Sequence, residues 1–107
     1  MPSLFYAFKE GRKIIRVIRE TGFEKDLKKL RKNRQDFSKF YETVGILSLG
    51  EKLEKSMKNH KLKANWKNHW ECHIDNDWIL IYQIVKNSVV LVRTGKHSNL
   101  FRNTVKI

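Results

Sequence analysis

The stretch WKNHWECHIDNDWILIYQIVKNSVVLVRTG, Trp66–Gly95, decides the fold of this chain. Its first third alternates. Trp66, Asn68, Trp70, Cys72 and Ile74 fall on one side of an extended backbone, and Lys67, His69, Glu71 and His73 on the other. Successive strand residues point to opposite faces, so the pattern describes a strand with one face in a core and one presenting ionisable groups. Asp75-Asn76-Asp77 supplies a turn. Trp78–Val85 (WILIYQIV) is almost continuously apolar, as a central strand should be. Lys86-Asn87 makes a second tight turn, Ser88–Thr94 returns as a third strand, and Gly95 ends it.

Upstream the period changes. Lys13–Glu20 is rich in β-branched residues and reads as an opening strand. Phe23, Leu27 and Leu30 then mark one face of a helix for which Thr21 is the candidate cap. A second helix starts near Asp36 or Ser38, turns Phe37, Phe40, Val44 and Leu47 inward, and stops before Gly50. Leu53 and Met57 extend it weakly. The expected architecture is α+β: an N-terminal strand, two helices, then a three-stranded antiparallel meander, all in one small twisted sheet. Residues 1–12 form an extension outside this plan, and 13–107 form the domain.

Composition narrows the function. Twenty-three Lys and Arg against eleven Asp and Glu give a net charge of +12 and a pI near 10.0. That is a footprint for phosphates or for an acidic protein partner. With 40% hydrophobic and 11% aromatic residues the chain is too apolar to be a disordered basic tail. A single cysteine, Cys72, allows no internal disulfide and fits a reducing compartment. The LFYAF run near the start is too short for a signal-peptide core, and no run approaches a membrane span. A cytoplasmic protein is expected, with no membrane partner.

A metal trio of His69, Cys72 and His73 is excluded by geometry. In a strand the two imidazoles lie about 13 Å apart, and Cys72 points the other way. No metal, and no small-molecule cofactor, is expected. Histidine also serves without a metal, because an imidazole gives and takes protons near neutral pH. Cleaving RNA needs a base for the ribose 2′-hydroxyl, an acid for the departing 5′-oxygen, and cations for the phosphoryl charge. Histidines, lysines and arginines supply all three. Unpaired bases stack on aromatic rings; Trp78 and Phe101 are the candidates, while Trp66 and Trp70 read as core.

The segments FEKDLKKL (Phe23–Leu30), GEKLEKSMKNHKLKANW (Gly50–Trp66), ECHIDNDWILIY (Glu71–Tyr82) and RTGKHSNLF (Arg93–Phe101) together resemble the YafQ branch of the RelE/ParE toxin superfamily. The likeness runs from about Lys13 to Phe101. It implies a toxin that cleaves mRNA on the translating ribosome without a metal and is held inactive by a cognate antitoxin. Carried over by position, it implies catalytic roles for His60, His73, Asp77 and His97, and a site shaped by Trp78 and Phe101. His97 would be the general acid, His60 and His73 would orient the phosphate or share the base role, and Asp77 would fix a histidine or the ribose. Arg93 is a candidate phosphate contact. Ala64 stands where the family usually has glycine.

Two other readings compete. A gyrase inhibitor of the ParE type would have no need of His60, His73 and His97 together. A non-catalytic RNA-binding module would bind with steep salt dependence but release no product. If the chain is the nuclease, His97→Gln will fold yet lose most mRNA cleavage in a translating extract; undiminished cleavage by the folded variant would refute the role.

Overall fold

The computed structural model describes residues 16–101. The extension expected over 1–12 and the first residues of the opening strand lie outside the described residues. Five strands, β1 (Arg16–Arg19), β2 (His60–Lys61), β3 (Trp70–Asp75), β4 (Trp78–Val85) and β5 (Ser88–Lys96), form one sheet in the order β1-β5-β4-β3-β2. The meander β3-β4-β5 is antiparallel, as its alternation and turns require, and β1 runs parallel to β5. The sheet is therefore mixed. Strand β2, only two residues long, had no period to betray it in the sequence. Helices α1 (Thr21–Lys32) and α2 (Ser38–Ser48) connect β1 to the meander, and a third, α3 (His97–Leu100), follows β5.

Several boundaries differ from expectation. Helix α1 begins at Thr21 itself, and no side chain caps it. At α2 the Asp36 carboxylate accepts a 2.9 Å bond from the Ser38 amide, and that bond lowers its pKa. Leu53 and Met57 do not prolong α2; they pack on the core from a loop and a single 3-10 turn, Lys55–Met57. The strand expected from Trp66 starts at Trp70, because Ala64–Trp66 is another 3-10 turn. Gly95 does not end β5. It carries the strand on at φ +147°, a conformation that only glycine adopts without strain.

Both faces of the sheet are covered, unequally. The helices cover one, where Phe23, Leu27, Phe40 and Leu47 meet Cys72, Ile74, Trp78, Leu80, Tyr82, Val89 and Leu91. Phe40 lies between Phe23 (5.9 Å) and Trp78 (5.8 Å), nearly parallel to both, and Phe37 meets Trp78 edge-on at 5.5 Å. Such offset stacks add to the area they bury. The opposite face holds a smaller cluster of Leu62, Ile79, Ile81, Val92 and Leu100, joined by Trp66, Val90 and Phe101. Leu62 and Trp66 arrive there from the segment after β2, and Leu100 and Phe101 from the end of α3.

One ion pair locks α1 to β5. Asp26, almost buried, accepts bonds from Arg93 Nε at 2.6 Å, Arg93 Nη2 at 3.1 Å and the Thr94 amide at 3.1 Å. The Arg93 side chain lies across Gly22, where an added Cβ would stand 3.1 Å from Arg93 Cδ. The hydrogen bond to Asp26 raises the Arg93 pKa further.

Ala64 occupies the left-handed region at φ 54°, which explains why glycine suits that position. Replacing it should relieve strain by more than the added flexibility of the unfolded chain costs. Ala64→Gly is expected to stabilise the fold by about 0.5–1 kcal/mol, read as a higher urea midpoint; a lower midpoint would contradict the account.

Candidate active site

Three histidines from three segments meet at one carboxylate. Glu71 sits on β3 opposite Ile81 of β4 and His60 of β2, so its side chain emerges on the face away from α1 and α2, at 3% exposure. His73, two residues on, shares that face, and its Nε2 stands 3.2 Å from Glu71 Oε2. His60 Nε2 approaches the same oxygen at 3.6 Å, and His97 Nε2 reaches Oε1 at 3.6 Å. Glu71 Oε1 is buried and has no hydrogen-bond partner among the described residues. A buried carboxylate is costly unless donors or cations surround it. Here three imidazole nitrogens stand within 3.6 Å of it, and each acts as a cation toward it only when protonated.

Local structure aims each ring. Lys58 takes a left-handed conformation, φ 48°, after the Lys55–Met57 turn, and its carbonyl accepts from His60 Nδ1 at 2.8 Å. A carbonyl can only accept, so this bond keeps a proton on Nδ1 and leaves Nε2 as the proton-exchanging nitrogen. Asn59, the next residue, accepts a bond from the Tyr82 hydroxyl, which anchors the chain just before His60. Burial raises the Tyr82 pKa well above that of an ordinary phenol, so the hydroxyl keeps its proton. His97 opens α3, and its amide donates to the Asp77 carbonyl at 3.2 Å. Phe101 lies 4.6 Å from the His97 ring and 5.7 Å from Trp66.

The sequence-derived residues divide accordingly. His60, His73 and His97 come together, with Phe101 beside them. Asp77 is exposed in the β3–β4 turn and touches His97 through its backbone. Trp78 is not at this surface: it is buried among the helix-side aromatics, its Nε1 donating to Thr94 Oγ1 at 2.8 Å. Arg93 is engaged by Asp26. The reading of Trp66 as core beside Trp70 also changes. Trp70 packs with the helix-side cluster, whereas Trp66 is half-buried on the histidine side, edge-on to Phe101 and His69. Glu71 was missed as a site residue, although an acid two positions before a histidine in a buried strand was the available signal.

Fold and site together define a class: a small basic α+β domain with helices on one face of its sheet and a histidine–carboxylate cluster on the other. Residues 15–102 match the family model described as bacterial toxin of type II toxin-antitoxin system, YafQ, and the chain belongs to that family. It is 34% identical over 80 residues to the mRNA interferase toxin YafQ of Escherichia coli strain B / BL21-DE3, covering 74% of this chain and 87% of that one. Its fold superimposes on the E. coli DinJ-YafQ toxin-antitoxin complex with a TM-score of 0.75 at 30% identity, over 81% of this chain and 97% of the other. A metal-bound toxin from Helicobacter pylori gives a TM-score of 0.77 at 41% identity, over 82% of this chain and 100% of that one.

The metal belongs to the Helicobacter protein. Among the described residues here, no group of three or more His, Cys, Asp or Glu side chains is arranged to hold a metal ion. Cys72 faces the helix-side core, and His69 bonds the Lys67 carbonyl through Nδ1 at 3.0 Å. Among the described residues, no helix is long and apolar enough to cross a membrane.

Burial, and secondarily the charge of Glu71, pushes the Cys72 thiol up from 9.0 to about 12. A folded value above the unfolded one contributes stability that is present below pH about 9 and is lost as pH rises toward the folded value. Cys72 should resist a thiol reagent at pH 8 until urea unfolds the chain; prompt labelling of the native protein would contradict its burial.

Proposed function

We propose that this protein is a ribosome-dependent endoribonuclease that cuts mRNA by attack of the ribose 2′-hydroxyl and is neutralised by a cognate antitoxin. The observation that carries the proposal is the convergence of three imidazole Nε2 atoms on one buried carboxylate. The mRNA interferases and the toxin-antitoxin complex among its relatives support the substrate and the partner.

In this mechanism the 2′-oxygen bonds to the adjacent phosphorus, the bond from phosphorus to the 5′-oxygen breaks, and a 2′,3′-cyclic phosphate and a 5′-hydroxyl result. His60 is the base. Its proton is kept on Nδ1 by the Lys58 carbonyl, so Nε2 takes the proton of the 2′-hydroxyl. His97 returns a proton to the leaving 5′-oxygen, its ring braced by Phe101. His73, nearest Glu71, orients the phosphate. Glu71 holds the three rings toward one point and is a positioning residue. Asp77 contributes by fixing the start of α3. Trp66 and Phe101 form the aromatic platform for an unpaired base, the role the sequence suggested for Trp78. The net charge of +12 draws in RNA, and an acidic antitoxin segment would cover the same surface.

Glu71→Gln preserves shape and removes the charge. The variant is expected to keep its unfolding midpoint within a few degrees and to lose cleavage on the order of 10²-fold in a translating extract. Cleavage within about twofold of wild type would show that the carboxylate does not organise the site.

A further inference from the structure

The proposed reaction uses three of the four histidines. The fourth, His69, ends a row of rings that begins at the site. From His97 the row passes to Phe101 at 4.6 Å, on to Trp66 at 5.7 Å, and then to His69 at 5.2 Å. Trp66 and Phe101 pack on the cluster of Leu62, Ile79 and Ile81, so the row runs over the histidine face of the sheet. Phe101, Trp66 and His69 are each half-buried, which leaves part of each ring open to solvent.

Local structure fixes His69 as it fixes the catalytic rings. After the Ala64–Trp66 turn, Asn68 takes a left-handed conformation at φ 70°, which asparagine tolerates better than most residues. The His69 amide donates to the Trp66 carbonyl at 3.0 Å, and the Leu62 amide donates to the His69 carbonyl at 2.9 Å. Gln83 of β4 donates to the Asn68 carbonyl at 3.4 Å, which ties the turn to the sheet. His69 Nδ1 donates to the Lys67 carbonyl at 3.0 Å and so sets the orientation of the ring. The surrounding charge is of one sign. Residues 55–70 include five lysines, all exposed, and no Asp or Glu. Single strands bind where cations follow the backbone and successive bases stack on aromatic faces.

We infer that His69 is a base-stacking residue for the second nucleotide beyond the cut, with the message laid along Phe101, Trp66 and His69. The inference rests on the nuclease reading and lengthens its binding surface by one nucleotide. Its direction follows from the chemistry. The 5′-oxygen that His97 protonates belongs to the nucleotide downstream of the cut, and Phe101 lies beside His97. Phe101 and Trp66 therefore take the first downstream base, and His69 takes the next. The position supplies a flat π-face, so phenylalanine can stand in for histidine there and alanine cannot.

The test is single-turnover cleavage on ribosomes stalled on a defined message, with the second downstream nucleotide either intact or abasic. Wild type, His69→Ala and His69→Phe are compared. Wild type should cut the intact message about 10-fold faster than the abasic one. His69→Ala should cut the intact message about 10-fold more slowly than wild type, with less than about a twofold further loss on the abasic one, because both changes delete the same contact. His69→Phe should stay within about twofold of wild type on the intact message. Undiminished cutting by His69→Ala, a full abasic penalty that persists in it, or a His69→Phe as slow as His69→Ala would each overturn the assignment. If His69→Ala does not fold, the wild-type pair of messages still decides, since equal cutting of the two would overturn it. Wild type that cuts neither message would instead remove the nuclease reading, and this subsite with it.

Discussion

The Glu71 carboxylate, at 3% exposure near the start of β3, is the constraint around which the histidine face of the molecule is arranged. An unpartnered charge in that position would cost several kcal/mol. Its partners come from β2, from β3 itself and from the first residue of α3. The three segments that bring these rings to Glu71 are separate in sequence, so the cluster exists only once the second face of the sheet is assembled.

The two faces divide the work. On the helix side, large aromatic rings pack in a stacked column and Asp26 fixes β5 against α1, giving a rigid support. Among the described residues the other side is thinner, covered by the 62–66 segment, the short α3 and Phe101. The histidines lie on that thinner face and at its rim, with half or more of the side chain exposed for His60 and His97 and about a quarter for His73. Such a layout keeps the rings reachable by a polynucleotide while their common anchor stays dry.

The meander and both connecting helices were legible because periods of two and of roughly four residues persist over enough residues to be read. What escaped notice depends on contacts that no local pattern encodes. β2 has two residues and no periodicity; it exists because Lys58 reverses the chain and Tyr82 holds Asn59. The roles of Trp66 and Trp78 were exchanged for a related reason. Alternation was extended back through Trp66, yet a 3-10 turn there rotates the indole to the opposite face, and Trp78 is drawn into the core by Phe37 and Phe40. The three histidines of the cluster were legible in short polar motifs, and Asp77 was read with them, although it reaches His97 only through its backbone. Glu71 was not, because from the sequence it is one more charge on a face that already read as ionisable, and only the tertiary structure shows that face to be covered.

The chemistry of the cut ends tests the central claim most directly. RNA fragments released by the wild-type protein from a translated message, analysed by mass spectrometry, should carry 2′,3′-cyclic phosphates and 5′-hydroxyls. Those ends follow from ribose attack assisted by imidazoles. Fragments ending in 3′-hydroxyls and 5′-phosphates would mean that water is the nucleophile, and the histidine–glutamate cluster would not be acting as described.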